Sequence, residues 1–375
     1  MTPKRVALVH DWLTGMRGGE KCLEVLCELF PTATLFTLLH NPGSVSPTIE
    51  RLSVRTSFVQ HLPFAASKYR HYLPLFPRAA ERFDLSEFDL VVSSSHCVAK
   101  SVVPHARALH ICYCHTPMRY VWDLFDEYFA VERVGRLKHA LLRRIAARLR
   151  RWDARTAERV HHFVANSQHV RRRIHRHYGR DADVIHPPVD TDRFTLSERN
   201  DGYFLMVSAL VPYKRAELAV ETFNRLGARL LIVGSGPEEK RLKDRARLNI
   251  EFIGWQPDDK LRSYYAGCRA LIFPGEEDFG IVPVEAMASG KPVIAFGRGG
   301  ALETVVPGVT GSLFPEQTVS SLTAAVRAFD EARFSPQRIR AHALVFDREV
   351  YRRRMSAFIA DHFDQHFRRP LRVAA

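Results

Sequence analysis

The chain has 375 residues, of which 46% are hydrophobic and 26% are charged, as is typical of a soluble globular protein. This length is sufficient for two domains with a core each, and no run of about 18 apolar residues is present, so no membrane-spanning helix is expected. The formal net charge of +14 favours anionic partners such as nucleic acid, anionic lipid or phosphate-bearing substrates.

The first half begins with an element typical of a Rossmann-like domain. Residues 6–9 form a short apolar run, and a loop with Gly15, Gly18 and Gly19 follows it. A helical pattern then continues to Pro31. Further apolar runs predict strands in this half, at residues 89–93, 108–113 and 162–165.

The second half repeats this organisation. A strand is predicted over residues 203–207, followed by a loop with Lys214 and a helix over residues 216–226 that ends at Gly227. Four more strands are predicted, at residues 229–233, 250–253, 270–273 and 292–296. Strands that alternate with helices indicate parallel sheets with crossover helices.

Two adjacent prolines, Pro187 and Pro188, interrupt the pattern and mark the predicted domain boundary. We expect an N-terminal Rossmann-like domain over residues 1–190 and a C-terminal one over residues 191–345. A last helix, from about residue 346 to 375, is expected to pack back on the N-terminal domain.

A strongly basic helix is predicted from Arg136 to Arg155. Apolar residues recur there at spacings of three or four: Val134, Leu137, Leu141, Ile145, Leu149 and Trp152. One interpretation is a helix that packs this stripe on its own sheet and leaves a charged side in solvent. The other adds contact with an anionic membrane surface.

The six cysteines show no repeated spacing. Cys112 and Cys114 alternate on a predicted strand and so point to opposite faces, which argues against a metal pair. We interpret all six as reduced thiols, as in a cytoplasmic protein.

The segment 273–294 carries the clearest chemical pattern. A predicted strand ends at Phe273, an acidic turn with Glu277 follows, and Gly280 leads into a helix that contains Glu285. The N–H groups at the start of such a helix can bind an anion, while Glu277 beside them can accept hydrogen bonds from hydroxyls. A phosphate joined to a polyol is what a nucleotide sugar presents.

This segment resembles the E-x7-E signature of the retaining glycosyltransferases of family 4, which have the GT-B fold. Other segments resemble further landmarks of that family in the same order: RGGE at 17–20, VANS at 164–167, PVDTDRF at 188–194, VSALVPYKR at 207–215, VGSGPE at 233–238, FIGW at 252–255, GGALE at 299–303 and GVTG at 308–311. The resemblance implies two Rossmann-like domains whose parallel sheets face each other across a cleft that holds the active site. Residues 114–120 (CHTPMRY) and the Tyr213-Lys-Arg variant look most like the O-antigen mannosyltransferases that use GDP-mannose.

The resemblance also implies roles for individual residues. Three are implied in catalysis: His115 near the anomeric centre, Lys214 on the donor diphosphate, and Glu277 on the sugar hydroxyls. The implied nucleotide-sugar contacts are Gly18, Gly19, Arg215, Gly254, Phe279, Gly280, Ile281 and Glu285. Among these, Gly18 and Gly19 would admit the diphosphate to backbone N–H groups, and Glu285 would accept hydrogen bonds from the ribose.

One position departs from the family pattern, because many members carry an arginine where this chain has Ala209. Arg215 and Arg298 are the candidate replacements. Asp190 and Asp192 form a D-x-D sequence, but they lie in the linker, so neither a metal ion nor another cofactor is expected. Lys214 and the helix end would meet the leaving-group charge instead.

The expected activity is transfer of a hexose, specifically mannose from GDP-mannose, to a glycan or polyprenyl-diphosphate-linked oligosaccharide in surface polysaccharide biosynthesis. Such an enzyme would be cytoplasmic or peripheral on the inner face of the plasma membrane. Three alternatives stay open: a sugar-nucleotide epimerase of the same fold, a basic nucleic-acid-binding protein and an inert scaffold. Nucleic acid is not an expected partner, because the arginine tracts lack interleaved aromatic residues.

Overall fold

The computed structural model describes residues 3–129 and 134–368. The chain forms two compact units, the first made of Met1–Pro188 with Tyr351–Ala375 and the second of Val189–Val350. Each unit contains one parallel sheet with helices connecting its strands. The predicted fold class, two Rossmann-like α/β domains with parallel sheets, is therefore confirmed.

The sheet of the first unit has seven strands in the order β3-β2-β1-β4-β5-β6-β7. Its central strands are buried throughout because the sheet is covered on both faces. The strands are Val6–His10 (β1), Thr34–Thr37 (β2), Ser53–Thr56 (β3), Leu90–Ser95 (β4), Leu109–Cys114 (β5), His162–Ala165 (β6) and Ala182–Val184 (β7).

The helices of the first unit include the one that ends the described chain, α16. They are Gly18–Leu29 (α1), Pro47–Glu50 (α2), Ala65–Lys68 (α3), Phe76–Glu81 (α4), Arg119–Trp122 (α5), Phe125–Phe129 (α6), Arg136–Thr156 (α7), Gln168–Tyr178 (α8) and Arg348–Arg368 (α16). Tyr351, Met355, Ile359 and Phe363 recur at every fourth position of α16 and join the hydrophobic cluster under β1 and α1. The last helix thus completes the core of the first unit.

The sheet of the second unit has six strands in the order β10-β9-β8-β11-β12-β13. The strands are Tyr203–Val207 (β8), Leu230–Val233 (β9), Ile250–Gly254 (β10), Cys268–Phe273 (β11), Val293–Phe296 (β12) and Gly311–Phe314 (β13). The helices are Ala216–Leu226 (α9), Glu239–Lys243 (α10), Asp258–Gly267 (α11), Ile281–Ala288 (α12), Ala301–Thr304 (α13), Val319–Arg327 (α14) and Pro336–Ala343 (α15). The carboxyl ends of β8 and β11 are adjacent, because these two strands pair directly.

Helix α7 buries only the second half of the stripe that the sequence predicts, where Leu149 is buried and Ile145 and Trp152 pack against the core. Ala146, Leu149 and Asp153 are buried, whereas Leu137 and Leu141 are 91% and 58% exposed. The buried face lies further around the helix than the predicted stripe and includes a charged pair, since Asp153 contacts the buried Lys100 Nζ at 3.0 Å. The first half of the predicted apolar stripe therefore faces solvent.

Within the described residues, no helix combines the length and the apolar character needed to cross a membrane. Each of the six cysteines is buried and outside any disulfide.

Candidate functional site

In the second unit, an acidic turn at residues 274–280 joins strand β11 to helix α12. Gly280 begins the helix at φ 90°, a left-handed conformation that a side chain disfavours. A Cβ at Gly280 would also lie 3.2 Å from the ring of Phe273. With no acidic residue in the first turn of α12, the N–H groups there remain suited to an anionic ligand.

Lys214 and Glu277, both predicted from the sequence as catalytic, form an ion pair between Nζ and Oε1. Lys214 ends a short 3-10 turn, Pro212–Lys214, after strand β8. The two side chains are 24% and 12% exposed, so the pair is sheltered but reachable from solvent. A Cβ at Gly275 would lie 3.2 Å from the Lys214 backbone, which shows how closely the lysine loop and the acidic turn pack.

Two glycines hold the acidic turn from its other side. A Cβ at Gly299 would lie 2.3 Å from the carbonyl oxygen of Glu277, and one at Gly300 would lie 2.3 Å from the backbone of Phe279. The N–H of Gly300 also donates to the Glu277 carbonyl at 2.8 Å. Because the Phe279 side chain is buried in the core, this residue can offer a ligand only its backbone.

Glu285, predicted to bind the ribose, is buried in α12, and its Oε2 accepts a hydrogen bond from the Tyr265 hydroxyl at 2.8 Å. Burial and the adjacent carboxylate raise the pKa of Tyr265 well above its usual value, so the hydroxyl stays a donor. Tyr265 lies in no local pattern that predicts this contact, because its partner is 20 positions further along the chain.

The remaining predicted contacts of the second unit lie near strand ends and the lysine loop. Gly254 ends β10 at φ 76°, and its carbonyl accepts from the N–H of Gly234 at 2.8 Å. Trp255, which follows it, is 72% exposed. Arg215 precedes α9 at φ 57°, and its half-exposed guanidinium lies 3.5 Å from Glu217.

In the first unit, the predicted glycines begin helix α1. Gly18 and Gly19 follow Arg17, whose N–H donates to Glu20 Oε2 at 3.1 Å in a capping box. A Cβ at Gly19 would lie 3.6 Å from both His10 and His115. An alanine at position 19 would therefore not clash with the protein's own atoms, but its methyl group would contact both histidines.

His115 belongs to a group of three histidines, His10, His96 and His115, which we call the histidine cluster. The ring centroids lie 6.1 to 6.5 Å apart, at the carboxyl ends of β1, β4 and β5. Burial, followed by the His96 and His10 rings, lowers the pKa of His115 to about 3. His115 is therefore neutral at physiological pH and can accept a hydrogen bond.

Asp11 anchors this cluster and was not recognised from the sequence. Its buried carboxylate accepts from the backbone N–H groups of His96, Cys97, Val98 and Ala99 at 2.6 to 2.9 Å. It also lies 3.1 Å from His96 Nδ1. Burial by itself would raise the pKa of Asp11, but His96, His10 and the N–H donors hold it below its usual value.

Among the described residues, no group of three His, Cys, Asp or Glu side chains is arranged to hold a metal ion. Asp190, from the D-x-D sequence, instead lies 3.7 Å from Arg193 and from Arg348.

Two family models match adjacent parts of the chain. Residues 34–193 match Glycosyltransferase Family 4, and residues 189–343 match Glycosyl transferases group 1.

Curated relatives match parts of the sequence. An uncharacterized glycosyltransferase of Methanocaldococcus jannaschii is 28% identical over 43% of this chain and 47% of its own length. A GDP-mannose-dependent alpha-(1-6)-phosphatidylinositol monomannoside mannosyltransferase of Mycolicibacterium smegmatis is 31% identical over 43% of this chain and 50% of its own length. The glycogen synthase of Pseudomonas syringae pv. syringae is 30% identical over 48% and 36%. The chain thus spans half or less of the length of these relatives.

Solved structures match nearly the whole chain. Anabaena HepE in complex with UDP and glucose has a TM-score of 0.70 at 19% identity, covering 94% of this chain and 99% of that one. WaaG, a glycosyltransferase involved in lipopolysaccharide biosynthesis, has a TM-score of 0.64 at 15% identity, with coverage of 94% and 99%. These likenesses show the fold alone, which is that of two Rossmann-like domains, and the two family matches together extend over residues 34–343, each over less than half of the chain.

Proposed function

We propose that the protein transfers a hexose, with retention, from a nucleoside diphosphate sugar to an acceptor hydroxyl. One observation carries this proposal: Lys214 pairs with Glu277 on the acidic turn that leads directly into the first turn of α12. A cation and helix N–H groups suit a diphosphate, while a carboxylate beside them suits sugar hydroxyls. The two family matches and the nucleotide-bound structural neighbours point to the same ligand class.

The Lys214–Glu277 ion pair suggests how a donor would enter. Each side chain is the other's partner in the free protein, and each can exchange that partner for a donor group of the same charge type. Lys214 would then bind the diphosphate, and Glu277 would accept from the sugar hydroxyls. The positive charge of Lys214 would stabilise the diphosphate as it leaves, and a departing phosphate oxygen would take the proton of the acceptor hydroxyl. Lys214, Arg215 and the start of α12 together replace a metal ion in this proposal.

We further propose GDP-mannose as the donor. The M. smegmatis relative is named as GDP-mannose-dependent, and residues 114–120 resemble the O-antigen mannosyltransferases. HepE was solved with UDP and glucose, so UDP-glucose is the competitor that an experiment must include.

The proposed acceptor is a glycan or a polyprenyl-diphosphate-linked oligosaccharide for a surface polysaccharide, reached at the inner face of the plasma membrane. The exposed side of α7 supports this location. Leu137, Leu141, Arg144, Arg148 and Arg151 recur there at spacings of three or four, and all are exposed. No acidic residue occurs between positions 135 and 152. The two leucines would insert below the lipid headgroups, and the arginines would contact the anionic headgroups themselves.

The experiment is transfer of labelled sugar from GDP-mannose, UDP-glucose or ADP-glucose to extracted lipid-linked acceptors. Glu277→Ala and Lys214→Ala should each reduce transfer at least about a hundredfold, and the exposed neighbour Glu276→Ala is the matched control. Full activity in either site variant would contradict the assignment. Conversion of the donor without any acceptor would favour an epimerase, whereas steeply salt-dependent RNA binding without any nucleotide binding would favour the nucleic-acid alternative. Addition of a chelator should leave the rate unchanged, and a loss restored by Mg²⁺ would contradict the metal-free proposal.

A further inference from the structure

Four side chains of the first unit form a row that ends at His115. Glu20 Oε1 lies 3.7 Å from His10 Nε2, longer than a hydrogen bond but close enough for the carboxylate charge to act on the ring. His10 Nδ1 lies 3.1 Å from the Ser94 hydroxyl oxygen, which lies 2.8 Å from His115 Nε2. Glu20, His10 and Ser94 are all buried, so bulk solvent does not reach these three side chains.

The chemistry of the row gives each hydrogen bond a direction. Burial would raise the pKa of Glu20, but His10 holds it below its usual value, so Glu20 is a carboxylate and can only accept. The His10 nitrogen that faces it therefore carries the proton, since a lone pair there would be repelled. In a neutral His10 ring the other nitrogen, Nδ1, is then an acceptor, so the Ser94 hydroxyl donates to it.

The direction continues to His115. Once the Ser94 hydroxyl has donated its proton to His10, its oxygen can only accept from His115. We propose that Glu20 is a positioning residue that, through His10 and Ser94, fixes His115 as the tautomer protonated on Nε2 with a lone pair on Nδ1. That lone pair accepts a hydrogen bond from a substrate hydroxyl. This acceptor role rests on the proposed function, whereas the tautomer of His115 does not.

The third member of the histidine cluster does not disturb this row. The His96 Nδ1 lies 3.1 Å from the Asp11 carboxylate, so its proton is directed to Asp11. The His96 ring centroid is 6.1 Å from that of His10 and 6.3 Å from that of His115, too far for a hydrogen bond between the rings.

The test is the protonation pattern of His115 in the full-length protein labelled with ¹⁵N-histidine, read from long-range ¹H–¹⁵N correlation spectra. The His115 signals are assigned by their loss in His115→Gln. The proposal predicts a proton on Nε2 and none on Nδ1 in the wild type. A proton on Nδ1 in the wild type overturns it without any further variant.

Glu20→Gln tests the role of the carboxylate. The backbone N–H of Arg17 donates to one carboxylate oxygen of Glu20 at 3.1 Å. In the glutamine variant the amide oxygen should therefore stay at this N–H, and the NH₂ group should face His10. A donor at that point reverses each hydrogen bond in the row, and His115 should switch to the Nδ1 proton. An unchanged His115 tautomer in a folded Glu20→Gln protein overturns the proposal.

Ser94→Ala is the matched control because it interrupts the row. The double variant Ser94→Ala/Glu20→Gln should show the same His115 signals as Ser94→Ala alone. A different His115 tautomer in the double variant would overturn the proposal. In the Ser94-containing protein, Glu20→Gln should lower transfer about tenfold or more at unchanged nucleotide affinity. A wild type with the predicted tautomer but no transferase activity contradicts the proposed function alone.

Discussion

Single side chains of the second unit are held in place by contacts with residues that are distant in the sequence. Glu285 is held by the Tyr265 hydroxyl at 2.8 Å, from a different helix. A buried carboxylate without this donor would be less well solvated and less fixed in direction. Tyr265 is therefore expected to influence nucleotide binding without touching the nucleotide.

Tyr265→Phe should weaken nucleotide binding and lower stability, because a hydrogen bond to a charged group contributes about 1.5–3 kcal/mol. Urea unfolding and calorimetric titration measure the two effects. The control is Tyr203→Phe, whose lost hydroxyl donates to the Tyr264 carbonyl at 2.8 Å and not to a site residue. Equal losses of nucleotide affinity in the two variants would contradict a specific role for Tyr265.

A second prediction at this scale concerns pH. His110 donates from Nδ1 to the Arg159 carbonyl and accepts at Nε2 from the Ser93 hydroxyl, and burial lowers its pKa from 6.5 to about 3. The folded state therefore stays unprotonated at His110 while the unfolded state gains a proton below pH 6.5. The contribution of the neutral His110 to the free energy of unfolding should be fully present above pH 6.5 and should fall by about 1.4 kcal/mol per pH unit as the pH drops toward 3.

The pH prediction is checked by urea unfolding at pH 7, 6 and 5. His110→Gln should reduce the slope of unfolding free energy against pH by about 1.4 kcal/mol per unit, and replacement of the 73% exposed His175 by Gln serves as the control. The same slope in wild type and His110→Gln would contradict a neutral, buried His110.

The residues of the acidic turn and the lysine loop could be predicted because short local patterns carry them. The structure brings Lys214 and Glu277 together as an ion pair, but their catalytic roles, like the roles of His115, Gly18 and Gly19, remain predictions. The row from Glu20 to His115 could not be foreseen. His10 and Ser94 are neighbours only because β1 and β4 pair in that register, which no local pattern reveals.

At the element scale, helix α7 shows the limit of periodicity. Apolar residues spaced by three and four drift around an α-helix over several turns, so one stripe can begin in solvent and end in the core. Leu149 and Trp152 pack inward, whereas Leu137 and Leu141 do not. The buried face of the helix is the one that carries Asp153, whose buried ion-pair partner, Lys100, lies more than 50 positions earlier in the sequence.

The exposed leucines of α7 give a prediction for membrane binding. The paired variant Leu137→Ser/Leu141→Ser should weaken binding to phosphatidylglycerol vesicles at least about tenfold, since inserting a leucine contributes about 1.5–3 kcal/mol. Vesicle sedimentation measures this, with phosphatidylcholine vesicles as the uncharged comparison. Leu248→Ser, at an equally exposed leucine of the second unit, should bind as the wild type does. Equal binding to both lipids, or none, would contradict the proposal.

In the part of the chain that the structure describes, strand prediction succeeded for nine strands and missed four. The predicted strands over residues 162–165 and 203–207 have the observed bounds, and the other predicted strands differ by one or two residues. Strands β2, β3, β7 and β13 were missed. Length alone is not the reason, because β6 also has only four residues. β7 has three residues and β3 alternates exposed with half-buried positions, so neither presents an apolar run.

The two units differ in whether one continuous stretch of the chain forms them. The second is continuous, whereas the first needs the distant segment Tyr351–Ala375. The apolar face of α16 lies in the same cluster as β1 and α1, so the first unit lacks part of its core without this helix.

Deletion of residues 351–375 should therefore unfold the first unit and spare the second. The deletion removes four core side chains at about 2–5 kcal/mol each, a sum comparable with the whole stability of a domain. Hydrogen exchange should show protection lost in β1 and α1 and retained in β8 and α9. Met355→Ala should cause a milder loss in the first unit alone. Protection lost equally in both units, or in neither, would contradict this division.

Calorimetric titration of the intact protein with GDP, UDP and ADP measures binding at the proposed nucleotide site. One of these nucleoside diphosphates should bind, and Lys214→Met should weaken its binding at least about tenfold. Lys240→Met, at a lysine 90% exposed in the same unit, should leave that affinity unchanged. Absence of binding by all three, or an affinity unaffected by loss of the Lys214 charge, would contradict the assignment of this site.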